Sequence, residues 1–177
     1  MKIILTCTSI QDEHRSEEDA DSHYPLGLGY LQSYMEYHRP NQDEFINLYL
    51  NNEDYDSCYS ILKKNLKEFR PDVFGVSMMT HSRVSAFRMI EYAHEHYPDT
   101  KIVVGGMHAT VMWEQIVEKY PYITLVRGEG EVTLYNLIEA WDKNESINNI
   151  PGIAYHDGEK VVTTGSAPLI SNIDDLP

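Results

Sequence analysis

Three short segments place glycine, small and polar residues at the points where apolar runs stop. They are Gly75-Val76-Ser77-Met78-Met79-Thr80, Gly105-Gly106-Met107-His108-Ala109-Thr110 and Arg127-Gly128-Glu129-Gly130-Glu131. Adjacent glycines let a backbone pass close to a bulky partner and adopt positive φ. Ser77, Thr80, His108 and Thr110 supply polar contacts beside them, and Arg127 with its two glycines suits the polar edges of a ligand. Each segment also has a plainer reading. Thr80 or Ser82 suits the cap of a following helix, Gly105-Gly106 a sharp turn, and Glu129 and Glu131 the positive end of a helix dipole. Taken together, the three describe one broad binding site made by consecutive loops.

The elements that must position these loops alternate between strand and helix. Apolar, β-branched runs at 2–8, 44–50, 72–77, 101–104 and 123–126 read as strands. Helical stripes fall at 26–38 (Leu28, Leu31, Met35), 55–69 (Cys58, Leu62, Leu66, Phe69), 82–97 (Val84, Phe87, Ile90, Ala93), 114–119 and 131–141 (Leu134, Leu137, Ile138, Trp141). Such alternation predicts a parallel sheet with helices on both faces. In an open sheet of this kind, ligands bind outside the carboxyl ends of the strands, which is where the three segments lie. Residues 152–156 and 160–164 flank Asp157-Gly158-Glu159 and read as a hairpin. The expected organisation is an α/β domain over 1–145, an appended β-hairpin over 146–165 and a linker over 166–177.

Composition narrows the partners. The 177 residues carry 28 acidic against 14 basic side chains, a net charge of −14. Nucleic acid needs a basic footprint and an anionic membrane surface attracts basic segments, so neither is an expected partner. No apolar run is long enough for a signal peptide core or a membrane span, which points to a cytoplasmic protein. Residues 9–24 hold six acidic residues and one arginine without a helical stripe, and are expected to form a mobile surface loop. Cys7 and Cys58 read as small buried hydrophobes. Two separated cysteines supply too few thiolates for an iron–sulfur cluster.

Pro25-Leu26-Gly27-Leu28-Gly29-Tyr30 superficially suggests a dinucleotide fingerprint. Gln32 occupies the place of the third glycine and no strand immediately precedes the segment, so that reading is rejected. The segment instead completes a series with Pro71-Asp72-Val73-Phe74-Gly75-Val76-Ser77, the Gly105-Gly106 and Arg127-Gly128 segments, Pro151-Gly152-Ile153-Ala154-Tyr155 and Ile173-Asp174-Asp175-Leu176-Pro177. This series resembles the N-terminal cobalamin-binding domain of cobalamin-dependent radical S-adenosylmethionine (SAM) enzymes, the group that includes anaerobic magnesium-protoporphyrin ester cyclases. The resemblance implies a flavodoxin-like, five-stranded parallel sheet in the order 2-1-3-4-5 with a C-terminal β-hairpin. It implies cobalamin bound with its nucleotide tail extended in a slot beside the central strands. The implied cofactor-binding residues are Leu26, Gly27, Gly75, Ser77, Met78, Met79, Thr80, Gly105, Gly106, His108, Ala109, Thr110, Arg127, Gly128 and Glu129.

The resemblance further implies a C-terminal radical SAM domain in cis, carrying a 4Fe–4S cluster and SAM, for methyl transfer or cyclase-type chemistry. The Cys-x-x-x-Cys-x-x-Cys motif of that domain is absent, so the chain is expected to be a non-catalytic domain fragment. Classical cobalamin domains carry Asp-x-His-x-x-Gly. Asp21-Ser22-His23-Tyr24-Pro25-Leu26-Gly27 is one residue longer, which leaves His23 as the candidate lower ligand of cobalt. A receiver domain shares the fold but needs acidic residues where Ser77-Met78 and Thr8-Ser9 stand. A flavodoxin phosphate loop is spoiled by the acidic stretch after Thr6, Thr8 and Ser9. The alternative of a different class is a cofactor-free module of the same fold used for substrate recognition or scaffolding.

Overall fold

The computed structural model describes residues 1–8, 25–51 and 53–177, with the side chain of Asp175 excluded. The expected loop at 9–24, including His23, lies outside the described residues. Strands β1 (Lys2–Cys7), β2 (Glu44–Tyr49), β3 (Val73–Ser77), β4 (Lys101–Gly105) and β5 (Ile123–Val126) pair in parallel in the order β2-β1-β3-β4-β5. The hairpin β6 (Ile153–His156) and β7 (Val161–Thr163) continues this sheet instead of standing apart, since β6 pairs antiparallel with β5. Sequence shows the hairpin turn but not its docking, because the edge of β5 that receives it has no local signature.

Helices α1 (Leu26–His38) and α6 (Glu131–Asp142) cover one face. Helices α2 (Tyr55–Phe69), α3 (Arg83–His96), α4 (Met107–Val111) and α5 (Trp113–Lys119) cover the other. Strand residues divide by the period of two: Ile3, Leu5, Val73 and Val103 face α1 and α6, while Ile4, Phe74, Val76, Ile102 and Val104 face the opposite layer. Burial on both faces explains why these strands read as near-continuous apolar runs.

Local chemistry sets the helix ends. The Asp54 carboxylate accepts N–H bonds from Asp56 and Ser57 at 3.0 and 2.9 Å and starts α2, a cap worth about 1 kcal/mol. Arg70 ends α2 in the left-handed region at φ 52°, directly before Pro71. Two expectations are corrected here. Val84 was expected on the inward face of α3 but is 44% exposed. The buried stripe is Ala86, Met89, Ile90 and Ala93, whose i, i+3, i+4, i+7 spacing is the true helical face. Ser82 precedes α3, but its hydroxyl makes no cap bond to the helix. It approaches Met79 instead, 3.4 Å from the N–H. No helix among the described residues is long and apolar enough to cross a membrane.

Candidate functional site

The carboxyl ends of β3, β4 and β5 and the amino ends of α1 and α6 enclose a slot of about 230 Å³. Its origin is a set of missing side chains. On β3 and β4, the period of two sends positions 75 and 105 toward α1 and α6, and both are glycine. Gly27 in α1 and Gly128 and Gly130 before α6 face the same space. A Cβ at Gly27 or Gly128 would meet nothing within 4 Å, and one at Gly105 would have Val126 O, at 3.9 Å, as its nearest neighbour. One at Gly75 would fall 2.6 Å from Leu5 Cδ2, so Gly75 makes room for the Leu5 side chain that walls the slot. Leu5, Leu28, Leu31, Val103, Val126 and Leu134 wall the slot. It is therefore apolar inside, with Ser77, Glu129 and Glu131 as its polar lining.

Gly106 has a different task. It takes φ 93°, and a Cβ there would fall 2.7 and 2.8 Å from the Met78 carbonyl oxygen and nitrogen. Only a residue without Cβ lets the ends of β3 and β4 close on each other in this way. Met78 N–H then donates to Gly105 O at 2.8 Å, and His108 N–H to Met78 O at 3.1 Å. The Gly105–Thr110 segment, expected as a loop, thus ends β4 and turns at Gly106 directly into α4. Five helical residues are too few to show a periodic stripe.

The sequence-selected residues fall into three groups. Gly27, Gly75, Ser77, Gly105, Gly106, Gly128 and Glu129 line the slot. Leu26, Met79, Thr80, His108, Thr110 and Arg127 stand around it, with Leu26, Met79 and Thr80 exposed. Met78 and Ala109 are fully buried in the core beneath α2–α5, so their contribution to a ligand site is through the backbone. The apolar walls escaped selection because Leu28, Leu31 and Leu134 carry the same helical stripe as a filled core. Gly130 was legible as the second glycine of its motif. A Cβ there would meet Leu31 Cδ2 at 3.1 Å.

The rim is tied together by polar contacts. Gly128 N–H donates to Thr110 Oγ1 at 3.1 Å, which joins the β5–α6 loop to α4. Thr80 Oγ1 lies 3.2 Å from His108 Nδ1, and Arg83 Nη1 donates to Thr80 O at 2.6 Å. Burial, and then the charge of Arg83, holds the His108 imidazole below its ordinary pKa. The neutral ring is therefore the form that the fold favours. Its contribution to stability is present above the unfolded value of about 6.5 and is lost as pH falls through the lower folded value. His108→Ala removes one neutral hydrogen bond, worth about 0.5–1.5 kcal/mol. The expected loss of stability is of that size, with no His108-linked change between pH 7 and 8. Denaturant unfolding at pH 7 and pH 8 measures both.

Comparison with known proteins fixes the family. The B12 binding domain family model matches residues 18–138. This chain belongs to the B12-binding domain family. Over 127 residues it is 36% identical to an anaerobic magnesium-protoporphyrin IX monomethyl ester cyclase of Cereibacter sphaeroides, a match covering 70% of this chain and 21% of that protein. Among solved structures it is similar to the cobalamin-dependent SAM radical enzyme OxsB with aqua-cobalamin and SAM bound. The TM-score is 0.76 at 24% identity, over 95% of this chain and 22% of that one. It is also similar to the radical SAM methyltransferase TsrM of Kitasatospora setae with cobalamin and a [4Fe-4S] cluster bound. There the TM-score is 0.70 at 20% identity, over 99% of this chain and 30% of that one. The chain thus spans about a fifth to a third of the length of these relatives.

Cobalamin is accordingly the cofactor of this domain, and the slot fits part of it. Sites for whole drug-sized ligands run to about 300–1,000 Å³, so 230 Å³ takes one arm of a large molecule. A space cleared by glycines and walled by leucine and valine suits a flat, apolar heteroaromatic ring. Among the described residues, no group of three or more His, Cys, Asp or Glu is placed to hold a metal ion, and the corrin ring brings its own cobalt ligands.

Proposed function

We propose that the glycine-cleared slot between α1 and α6 holds the nucleotide tail of cobalamin, and that the exposed apolar rim holds the corrin. The observation that carries this reading is the convergence of five glycines, Gly27, Gly75, Gly105, Gly128 and Gly130, from four separate parts of the chain on one slot. Leu28, Leu31 and Leu134 would exclude water from the base of the tail. Ser77 would meet its polar edges. Leu26, Met79, Met107 and Val111 are exposed large hydrophobic residues at the ends of the elements that frame the slot. They supply the apolar surface a broad macrocycle needs. When bound, cobalamin supplies a cobalt centre that carries a methyl group or supports radical chemistry generated elsewhere.

In this reading the domain serves a larger cytoplasmic enzyme. The alternating α/β unit is the cofactor carrier, and residues 166–177 lead toward a radical SAM domain of the same polypeptide. Methyl transfer or cyclase-type chemistry would belong to the whole enzyme. Support comes from the relatives' names and from the share of their length this chain covers. The alternative, a cofactor-free recognition or scaffolding module, has no use for an open apolar slot. Such a space forfeits packing contacts unless something fills it.

The test is reconstitution with hydroxocobalamin, removal of free cofactor by desalting, and a visible spectrum. A corrin spectrum retained in near-stoichiometric amount is the expected result. A colourless protein would favour the scaffolding module. Anaerobic reconstitution with iron and sulfide is expected to give no stoichiometric cluster in this chain. Cys7 and Cys58 are both buried, and the usual ligation needs more thiolates than two. A 4Fe–4S cluster with SAM cleavage in the isolated chain would overturn the assignment of that chemistry to another domain.

A further inference from the structure

Arg127 and Glu129 were selected as cofactor contacts, yet the structure gives both side chains to the end of the hairpin and the segment that follows it. Arg127 Nη1 donates to Thr163 Oγ1 at 2.9 Å and to Gly165 O at 3.3 Å, while its guanidinium lies over the Trp113 ring at 4.6 Å. Two residues further on, Glu129 Oε2 accepts the Ile170 N–H at 2.5 Å. Between these anchors Ala167 packs on Gly152, whose φ is 84° and where a Cβ would come 2.6 Å from the Ala167 Cβ. The segment from 163 to 170 is therefore docked along the β5–α6 loop. It is not the free linker its polar composition suggests.

Glu129 stands between the two. It lines the slot on one side and holds the tail on the other. Thr110 fixes the same loop from the α4 side, through Gly128 N–H. We propose that Arg127 and Glu129 are positioning residues, a clasp that makes residues 163–170 the outer support of the slot, so that seating of this segment and loading of cobalamin favour each other. The coupling rests on the slot being the cobalamin site. The clasp does not. Linkage requires reciprocity: if an ordered tail tightens the cofactor, the cofactor must order the tail.

Amide hydrogen exchange over 163–171, with and without hydroxocobalamin, and an absorbance titration of affinity test both halves. In cofactor-free protein, Glu129→Ala should speed exchange around Ile170 about tenfold, the scale of one lost hydrogen bond to a charged acceptor. Arg127→Met should speed exchange near Gly165, because the Gly165 N–H donates to Thr163 Oγ1 and Arg127 holds that hydroxyl. Glu129→Gln keeps an acceptor oxygen and should restore most of the protection. In the parent, hydroxocobalamin should slow exchange over the same residues, and Glu129→Ala should weaken its affinity about tenfold. Unchanged cofactor-free exchange in both Glu129→Ala and Arg127→Met would overturn the clasp. Weaker affinity with unchanged tail exchange would make Glu129 a direct cofactor contact and likewise overturn it. Faster tail exchange without any reciprocal effect of cobalamin would overturn the coupling. If the parent binds no cobalamin, the slot reading fails and the coupling falls with it, while the cofactor-free exchange still decides the clasp.

Discussion

Gly105→Leu is expected to reduce hydroxocobalamin affinity by a hundredfold or more while the domain stays folded. The position is the last residue of β4, and its missing side chain points toward α1 and α6 into the slot. Val126 O, 3.9 Å from an added Cβ, is its nearest neighbour, so a side chain enters without displacing backbone. A leucine would occupy space that a bicyclic aromatic ring needs. Such a ring buries on the order of 150 Å², worth about 4 kcal/mol at roughly 25 cal/mol per Å². Losing most of that raises Kd by roughly 100- to 1,000-fold. Gly27→Leu is the matching test from the opposite wall. A Cβ there meets nothing within 4 Å, and replacing a helical glycine removes a penalty of about 0.8–1 kcal/mol. Affinity should fall while thermal stability holds or rises. Gly106→Leu is unsuitable despite lying beside Gly105. Its φ of 93° and the 2.7 Å approach to Met78 O would strain the fold itself. Absorbance titration with circular dichroism separates these cases. If Gly105→Leu and Gly27→Leu both bind as tightly as the parent, the nucleotide tail lies elsewhere.

What sequence made legible follows from which signals are local. The five parallel strands and their order could be read because each strand is a short apolar run between helical stripes. Right-handed crossovers then leave few arrangements. Glycine marked the slot for a related reason. At Gly105, strand periodicity gives both the residue and the face it leaves bare, and at Gly75 the face that Leu5 leans across. The walls could not be read in the same way. Leu31 and Leu134 facing a slot look like leucines facing a core, since the difference lies in what stands opposite. Val84 shows how stripes fail: the expected stripe shares Ile90 and Ala93 with the buried one, but a strict three-residue spacing drifts around a helix of 3.6 residues per turn and carries Val84 to the far side. The docking of 163–170 was hidden because Glu129 and Ile170 meet across 41 residues through a side chain and a backbone N–H. Nothing in the type of either residue announces the other.

A still longer-range contact was invisible for the same reason and carries the largest expected effect on stability. Arg39 follows α1 and is only 2% exposed. Its guanidinium donates to Asp43 at 2.6 and 3.1 Å, to Asp142 at 2.9 Å and to Glu139. The amino group of Met1 adds a bond to Asp43 at 2.8 Å. This cluster joins the carboxyl ends of α1 and α6, the two helices whose amino ends frame the slot. Arg39→Ala would leave the Asp43 side chain, 2% exposed, without the guanidinium that faces it. Breaking one side of a buried ion pair costs about 3–5 kcal/mol. At about 2–4 °C per kcal/mol for a domain of this size, the unfolding midpoint should fall by roughly 6–20 °C. Arg39→Lys should recover only part, since an ammonium cannot present the planar fork that meets several carboxylates. The pH dependence has a definite sign. Hydrogen bonding to Arg39 holds the Asp142 carboxyl below its ordinary range. Its contribution is therefore complete above the unfolded value of about 3.9 and is lost as pH falls through the lower folded value. The gap in stability between parent and Arg39→Ala should thus narrow below about pH 4. Denaturant unfolding at pH 7 and pH 3 measures it. A variant within about 1 kcal/mol of the parent at pH 7, the range of exposed ion pairs, would show that the cluster is a surface decoration and not the clamp that sets the spacing of α1 and α6.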